Sequence, residues 1–166
     1  MNRGIRYSLA FLAAALVPSL VISVPNAVAN LSTGDSHAIV RTWKAIIAAF
    51  AVSAAHVLAL GLPAFMLVVR TKVFAWWSAV GLGFILGALP LALLSWPLRY
   101  SEGASARHWE NGQMIETIVD GVVTRAGWWS YVSGVISMGL LGAVGGLSFW
   151  LVLRTLRPNP SIEATA

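Results

Sequence analysis

Four stretches of this chain contain no Asp, Glu, Lys or Arg: about residues 7–24, 45–69, 73–98 and 128–153. About 20 apolar residues suffice for a helix to cross the hydrocarbon of a bilayer. Few folds are open to such a chain. In lipid every backbone N–H and C=O must be satisfied internally, which leaves helices or closed barrels. The alternating segments of about ten residues that mark a barrel are missing. Composition agrees, with 58% hydrophobic and only 10% charged residues, against about 25% charged in soluble domains. The expected fold is an all-α membrane protein, a four-transmembrane-helix bundle forming one domain over residues 1–157, with the lipid bilayer as its surroundings.

Basic residues near helix ends set the orientation of such a bundle. On one side fall Arg3, Arg6, the Arg70-Thr71-Lys72 turn, Arg154 and Arg157, all in short segments. The other side carries Arg41, Lys44, Arg99, Arg107 and Arg125, spread over longer loops with Asp35, Glu102, Glu110, Glu116 and Asp120. The denser basic side is expected to be cytoplasmic, which puts both termini in the cytoplasm. Arg41 and Lys44 lie close to the second span and weigh against this. Seven tryptophans (43, 76, 77, 96, 128, 129 and 150) fall near predicted helix ends, where an indole suits the membrane interface. The net charge of +5 is scattered over helix ends. It forms no basic stripe, so no nucleic-acid partner is expected.

The first span has a rival reading. Arg3, Arg6, an apolar stretch and Ala27-Val28-Ala29 together resemble a secretory signal with a small-residue cleavage site. The stretch is longer than a usual signal core of about 7–15 residues, so retention is favoured. Cleavage would leave three helices and an external N-terminus.

Residues 99–127 form the longest polar segment and are expected outside the membrane. Ser101–Gly112 reads as irregular. The stretch after it fits either a short surface helix, with Asn111 as N-cap and Gly121 as stop, or a hairpin turning at Asp120-Gly121. Asp120 near a helix C-terminus would oppose the macrodipole, which favours the hairpin or an extended turn. The tail 158–166, with Pro158 and Pro160 and no periodicity, is expected to be disordered.

Small residues recur every fourth position as Ala79, Gly83 and Gly87 in the third span and Gly142 and Gly146 in the fourth. Lipid supplies no hydrophobic drive between helices, so close backbone approach through small residues supplies packing. Pro18, Pro63 and Pro90 each remove an amide donor, freeing the carbonyls of Ala14, Ala59 and Leu86. His56, with Ser53 one turn earlier, is the one ionisable group near mid-span, and such a residue is a functional candidate by default. A haem, a metal or a proton relay would need a second ligand or a carboxylate at that depth, and no span contains one. A structural bond to a neighbouring helix is therefore the leading reading for His56. His108 and Glu110 could approach a metal from a strand, but their Gly- and Ser-rich surroundings favour a solvated loop. There is no Cys and no Gly-x-Ser-x-Gly setting. No catalytic, cofactor-binding or metal site is assigned, and enzymatic activity is not expected.

The runs 55–63 (AHVLALGLP) and 83–90 (GFILGALP), followed by Val119-Asp120-Gly121 ahead of Gly127-Trp128, resemble a family of small four-helix integral inner-membrane proteins of proteobacteria. The likeness covers about residues 40–153. It implies a fold and a place in the bacterial inner membrane, and it implies no activity. Two functional readings follow. One is a non-enzymatic accessory or interaction component, packing through its glycine faces and meeting a membrane-protein partner or a second copy. The other is a small oligomeric transporter or channel with a polar path around His56 and Ser53.

Overall fold

The computed structural model describes residues 2–32, 37–70, 75–110 and 112–156. It is mostly helical. Helix α1 spans Arg3–Ser32 and α2 spans Ala38–His56; a π-helical turn, Val57–Gly61, joins α2 to α3, Leu62–Arg70. Helix α4 covers Trp76–Leu94 and α5 covers Arg125–Thr155. Between these two lie a short 3₁₀ turn, Pro97–Arg99, and three strands: β1 Ala106–Glu110, β2 Gln113–Val119 and β3 Val122–Val123. Among the described residues four helical runs are long and apolar enough to cross a membrane: Gly4–Asn30, Ala38–Val68, Trp76–Arg99 and Arg125–Thr155.

All four of these runs exceed the charge-free windows, the third by Arg99 alone. Helix α1 continues through Pro25 and over Ala27–Ala29, α2 takes in Arg41 and Lys44, and α5 starts at Arg125. Charge-free length marks where a helix can be buried in lipid; hydrogen bonding decides where it ends. At α5 the end is set by Thr124, whose Oγ1 accepts from the Gly127 N–H at 3.1 Å and donates to the Glu116 carbonyl at 2.8 Å. One side chain thus caps the helix and ties it to β2.

The segment expected to be irregular, residues 101–112, contains β1 instead. Its residues pair antiparallel with β2, Trp109 opposite Met114 and Arg107 opposite Glu116, the latter an ion pair at 2.9 Å. Local composition suggested a loop, but a partner strand supplies the hydrogen bonds that local sequence cannot. After β2 the chain turns at Asp120 and Gly121, with φ of 49° and 81°. Both signs are those of the two-residue hairpin turn that Asp-Gly favours. The surface-helix alternative is thereby replaced by a three-stranded sheet in the order β1-β2-β3. The N-cap role considered for Asn111 lies outside the described residues, as do Thr71, Lys72, Arg157 and the tail 158–166.

Helix α5 is the hub of the bundle, packing against both α4 and α1, while α2 lies along α1. Glycines on different faces of α5 explain this. Gly142 and Gly146 meet Gly83, Gly87 and the Ala79 carbonyl of α4, so that a Cβ on Gly142 would lie 2.9 Å from the Gly87 Cα. Gly145 faces α1, where a Cβ would come within 3.0 Å of the Ala14 carbonyl oxygen, the acceptor that Pro18 frees. Helix α1 has its own small-residue face, Ala15, Ser19 and Ser23, all buried. The Arg6 guanidinium donates to the Leu153 carbonyl at 3.3 Å, so the start of α1 and the end of α5 share one end of the molecule. Few large side chains are buried, and the helices turn Ile, Leu, Val and Trp outward along their length.

Candidate functional site

Three local features converge at the middle of the bundle. Pro63 cannot donate to the Ala59 carbonyl, and its ring would crowd that carbonyl in a regular α-helix. The chain meets this with the π turn Val57–Gly61, in which the Leu62 N–H reaches back to the Val57 carbonyl, five residues away. Single π turns of this kind relieve such conflicts and recur at functional sites. His56 is the last residue before the widened turn. Across the bundle, Pro90 leaves the Leu86 carbonyl without its usual donor, four residues on. His56 Nε2 lies 3.1 Å from that oxygen. A carbonyl only accepts, so Nε2 is the protonated nitrogen and donates; in the neutral ring Nδ1 is then an acceptor.

Two features singled out separately in the sequence, His56 and the Pro90 break, are therefore one structure. An apolar bundle interior makes an unpaired carbonyl expensive, and His56 satisfies it from the neighbouring helix. Ser53 stands one turn before His56. Its hydroxyl makes no hydrogen bond to another described residue.

Both residues line a half-open cavity of about 440 Å³ bounded by α1, α2 with its π turn, α3, α4 and α5. Its wall is otherwise apolar, including Val52, Val57, Leu82 and Leu141. One end is formed by Phe11, Phe65 and Phe149, with ring centroids 4.9–5.5 Å apart in tilted and edge-on contacts, and Tyr7 packs against Phe65 outside them. No sequence signal pairs these rings, because they come from α1, α3 and α5. The small residues facing the cavity leave the space itself: Ala48, Ala49, Gly61 and Gly145 have at most a methyl group to fill it. Gly83, Gly87, Gly142 and Gly146 play two parts, holding α4 against α5 and forming part of the cavity wall.

At the other end of the bundle, Trp96, Trp128 and Tyr131 pack edge to face, and the Tyr131 hydroxyl donates to the Ala92 carbonyl at 2.9 Å. The sheet lies beyond them. Arg107, Trp109, Met114 and Glu116 stand on one of its faces, with Trp109 69% and Met114 51% exposed. His108 and Glu110 belong to β1, an ordered strand, in place of the loop expected for them. Among the described residues no three His, Asp or Glu side chains gather so as to hold a metal ion.

Comparison with known protein families, curated proteins and solved structures returns no match to this chain. Its functional reading rests on the geometry above.

Proposed function

We propose that this chain is a multi-pass protein of the bacterial inner membrane, with cytoplasmic termini and an external β-sheet, acting as a non-enzymatic accessory or interaction component. The observation that carries the reading is the bond between His56 and the Leu86 carbonyl. It engages the one ionisable side chain at mid-helix in holding two helices together. Around it the cavity wall is apolar and one end is packed with phenylalanines, which weighs against a polar path and so against the transporter reading. The outward-facing apolar side chains support burial in lipid, since a soluble monomer rarely exposes such continuous apolar surface. Trp43, Trp76, Trp77, Trp96 and Trp129 are exposed near helix ends, as interface residues would be. The exposed sheet face with Trp109 and Met114 is the surface offered to a membrane-protein partner or a second copy.

The absence of cysteine makes the test direct. Single-cysteine variants Asn2→Cys and Ser105→Cys are treated in intact cells with a membrane-impermeant maleimide. Ser105→Cys is expected to label, and Asn2→Cys only after lysis. Labelling of Asn2→Cys in intact cells, or release of the protein by alkaline carbonate, would refute the placement. Proton or solute flux through the purified protein in liposomes, lost in His56→Ala, would favour the transporter instead.

A further inference from the structure

The central cavity has no role in the proposal above beyond its apolar wall, yet its chemistry specifies a guest. An apolar protein cavity of about 150 Å³ accommodates benzene, so 440 Å³ has room for roughly three times as much hydrocarbon. Its shape is long. From Ser53 to Phe65 along the lining helix is about 18 Å at 1.5 Å per residue, which suits one extended chain better than a compact ring system.

The polar groups narrow the class further. Among the described residues, Ser53 and His56 alone in the lining carry a polar side chain, and they stand three apart on one helix face. His56 Nε2 is engaged by Leu86, which leaves Nδ1 as an acceptor and the Ser53 hydroxyl as donor and acceptor. A plain hydrocarbon tail would leave both unpaired. Among the described residues no Asp, Glu, Lys or Arg lines the cavity, so a carboxylate or ammonium head would meet no counter-charge from them. A hydroxyl has what both groups require, a proton to donate to Nδ1 and lone pairs to accept from Ser53 Oγ.

We infer that the cavity binds a neutral single-chain lipid alcohol, its hydroxyl between Ser53 and His56 and its chain running toward Phe11, Phe65 and Phe149. The inference rests on the membrane reading above, because such a ligand would enter from the bilayer.

The probe is a diazirine-bearing hexadecanol, photolysed with the full-length protein in phosphatidylcholine nanodiscs, the labelled peptides being mapped by mass spectrometry. Labelling is expected on α2 through α3 and on α5, with 1-hexadecanol competing better than hexadecane or palmitate. Ser53→Ala is expected to weaken competition by 1-hexadecanol about tenfold, the effect of losing one buried hydrogen bond, while leaving hexadecane unchanged. Ala49→Trp, which fills the cavity, should abolish labelling. Equal competition by hexadecane and 1-hexadecanol, or an unaltered Ser53→Ala protein, overturns the proposal in favour of an ordinary acyl chain. Failure of the chain to enter nanodiscs would refute the membrane reading, and the site with it. Entry without alcohol preference would refute the site alone.

Discussion

Replacing Gly142 by Ala is expected to destabilise the bundle even though alanine is the better helix former. A Cβ at this position would lie 2.9 Å from the Gly87 Cα and 3.0 Å from the Gly83 carbonyl carbon, and it would press on the Gly83 oxygen as well. Carbon atoms prefer about 3.5–4.0 Å, so the shortfall is at least about half an ångström. All the nearest atoms are backbone, and no rotamer change relieves the overlap. The α4 and α5 backbones must separate instead. A gap of about 0.5–1 Å forfeits a quarter to a half of each dispersion contact it opens, and it opens those of Gly83, Gly87 and Gly146 together. Overpacking of this kind costs about 2 kcal/mol. For a chain of this length that lowers the melting temperature by about 4–8 °C. Gly81 provides the control. It is exposed on the same helix as Gly83, and a Cβ there would meet nothing within 4 Å. Gly81→Ala gains about 0.5–1 kcal/mol from reduced backbone entropy and should melt slightly higher. Thermal unfolding of both variants in one detergent decides the matter. If Gly142→Ala melts with or above Gly81→Ala, the glycine seam is not the contact that fixes α4 on α5.

His56→Ala should cost about 1–2 kcal/mol by leaving the Leu86 carbonyl unpaired, read as a lower melting temperature in detergent. Pro90→Ala restores an N–H able to bond that carbonyl within its own helix, so the double variant His56→Ala/Pro90→Ala should be less destabilised than the two losses added. Simple additivity would show that the two residues are not coupled. Thr124→Ala removes the cap of α5 and its tie to β2; a loss of about 1 kcal/mol is expected. Amide exchange should rise at Gly127, and unchanged exchange there would mean that the neighbouring backbone holds the helix start without the cap.

The helices were legible in the sequence because lipid-compatible length and missing charge are properties of a segment alone. The same holds for the Asp120-Gly121 turn, whose backbone signs follow from two residues. The glycine pattern of α4 and α5 was readable as a packing face, and so was the freed carbonyl at Leu86. What covers that carbonyl was not, because His56 lies 30 residues away on another helix. Strand β1 was missed for a related reason: Arg107, His108 and Trp109 are strand only because Met114–Glu116 pair with them. The small-residue face of α1, Ala15, Ser19 and Ser23, repeats every fourth residue and could have been read in the same way as the glycines.

The sequence by itself determined that there are four long apolar helices, where prolines interrupt their hydrogen bonding, and which faces allow close approach. Tertiary structure alone decided that α5 is the hub, that His56 closes the break made by Pro90, and that small residues from several helices leave a cavity closed at one end by three phenylalanines. Local chemistry fixes what each segment can offer. Which carbonyl meets which donor, and where space is left over, depends on the relative placement of segments far apart in the chain.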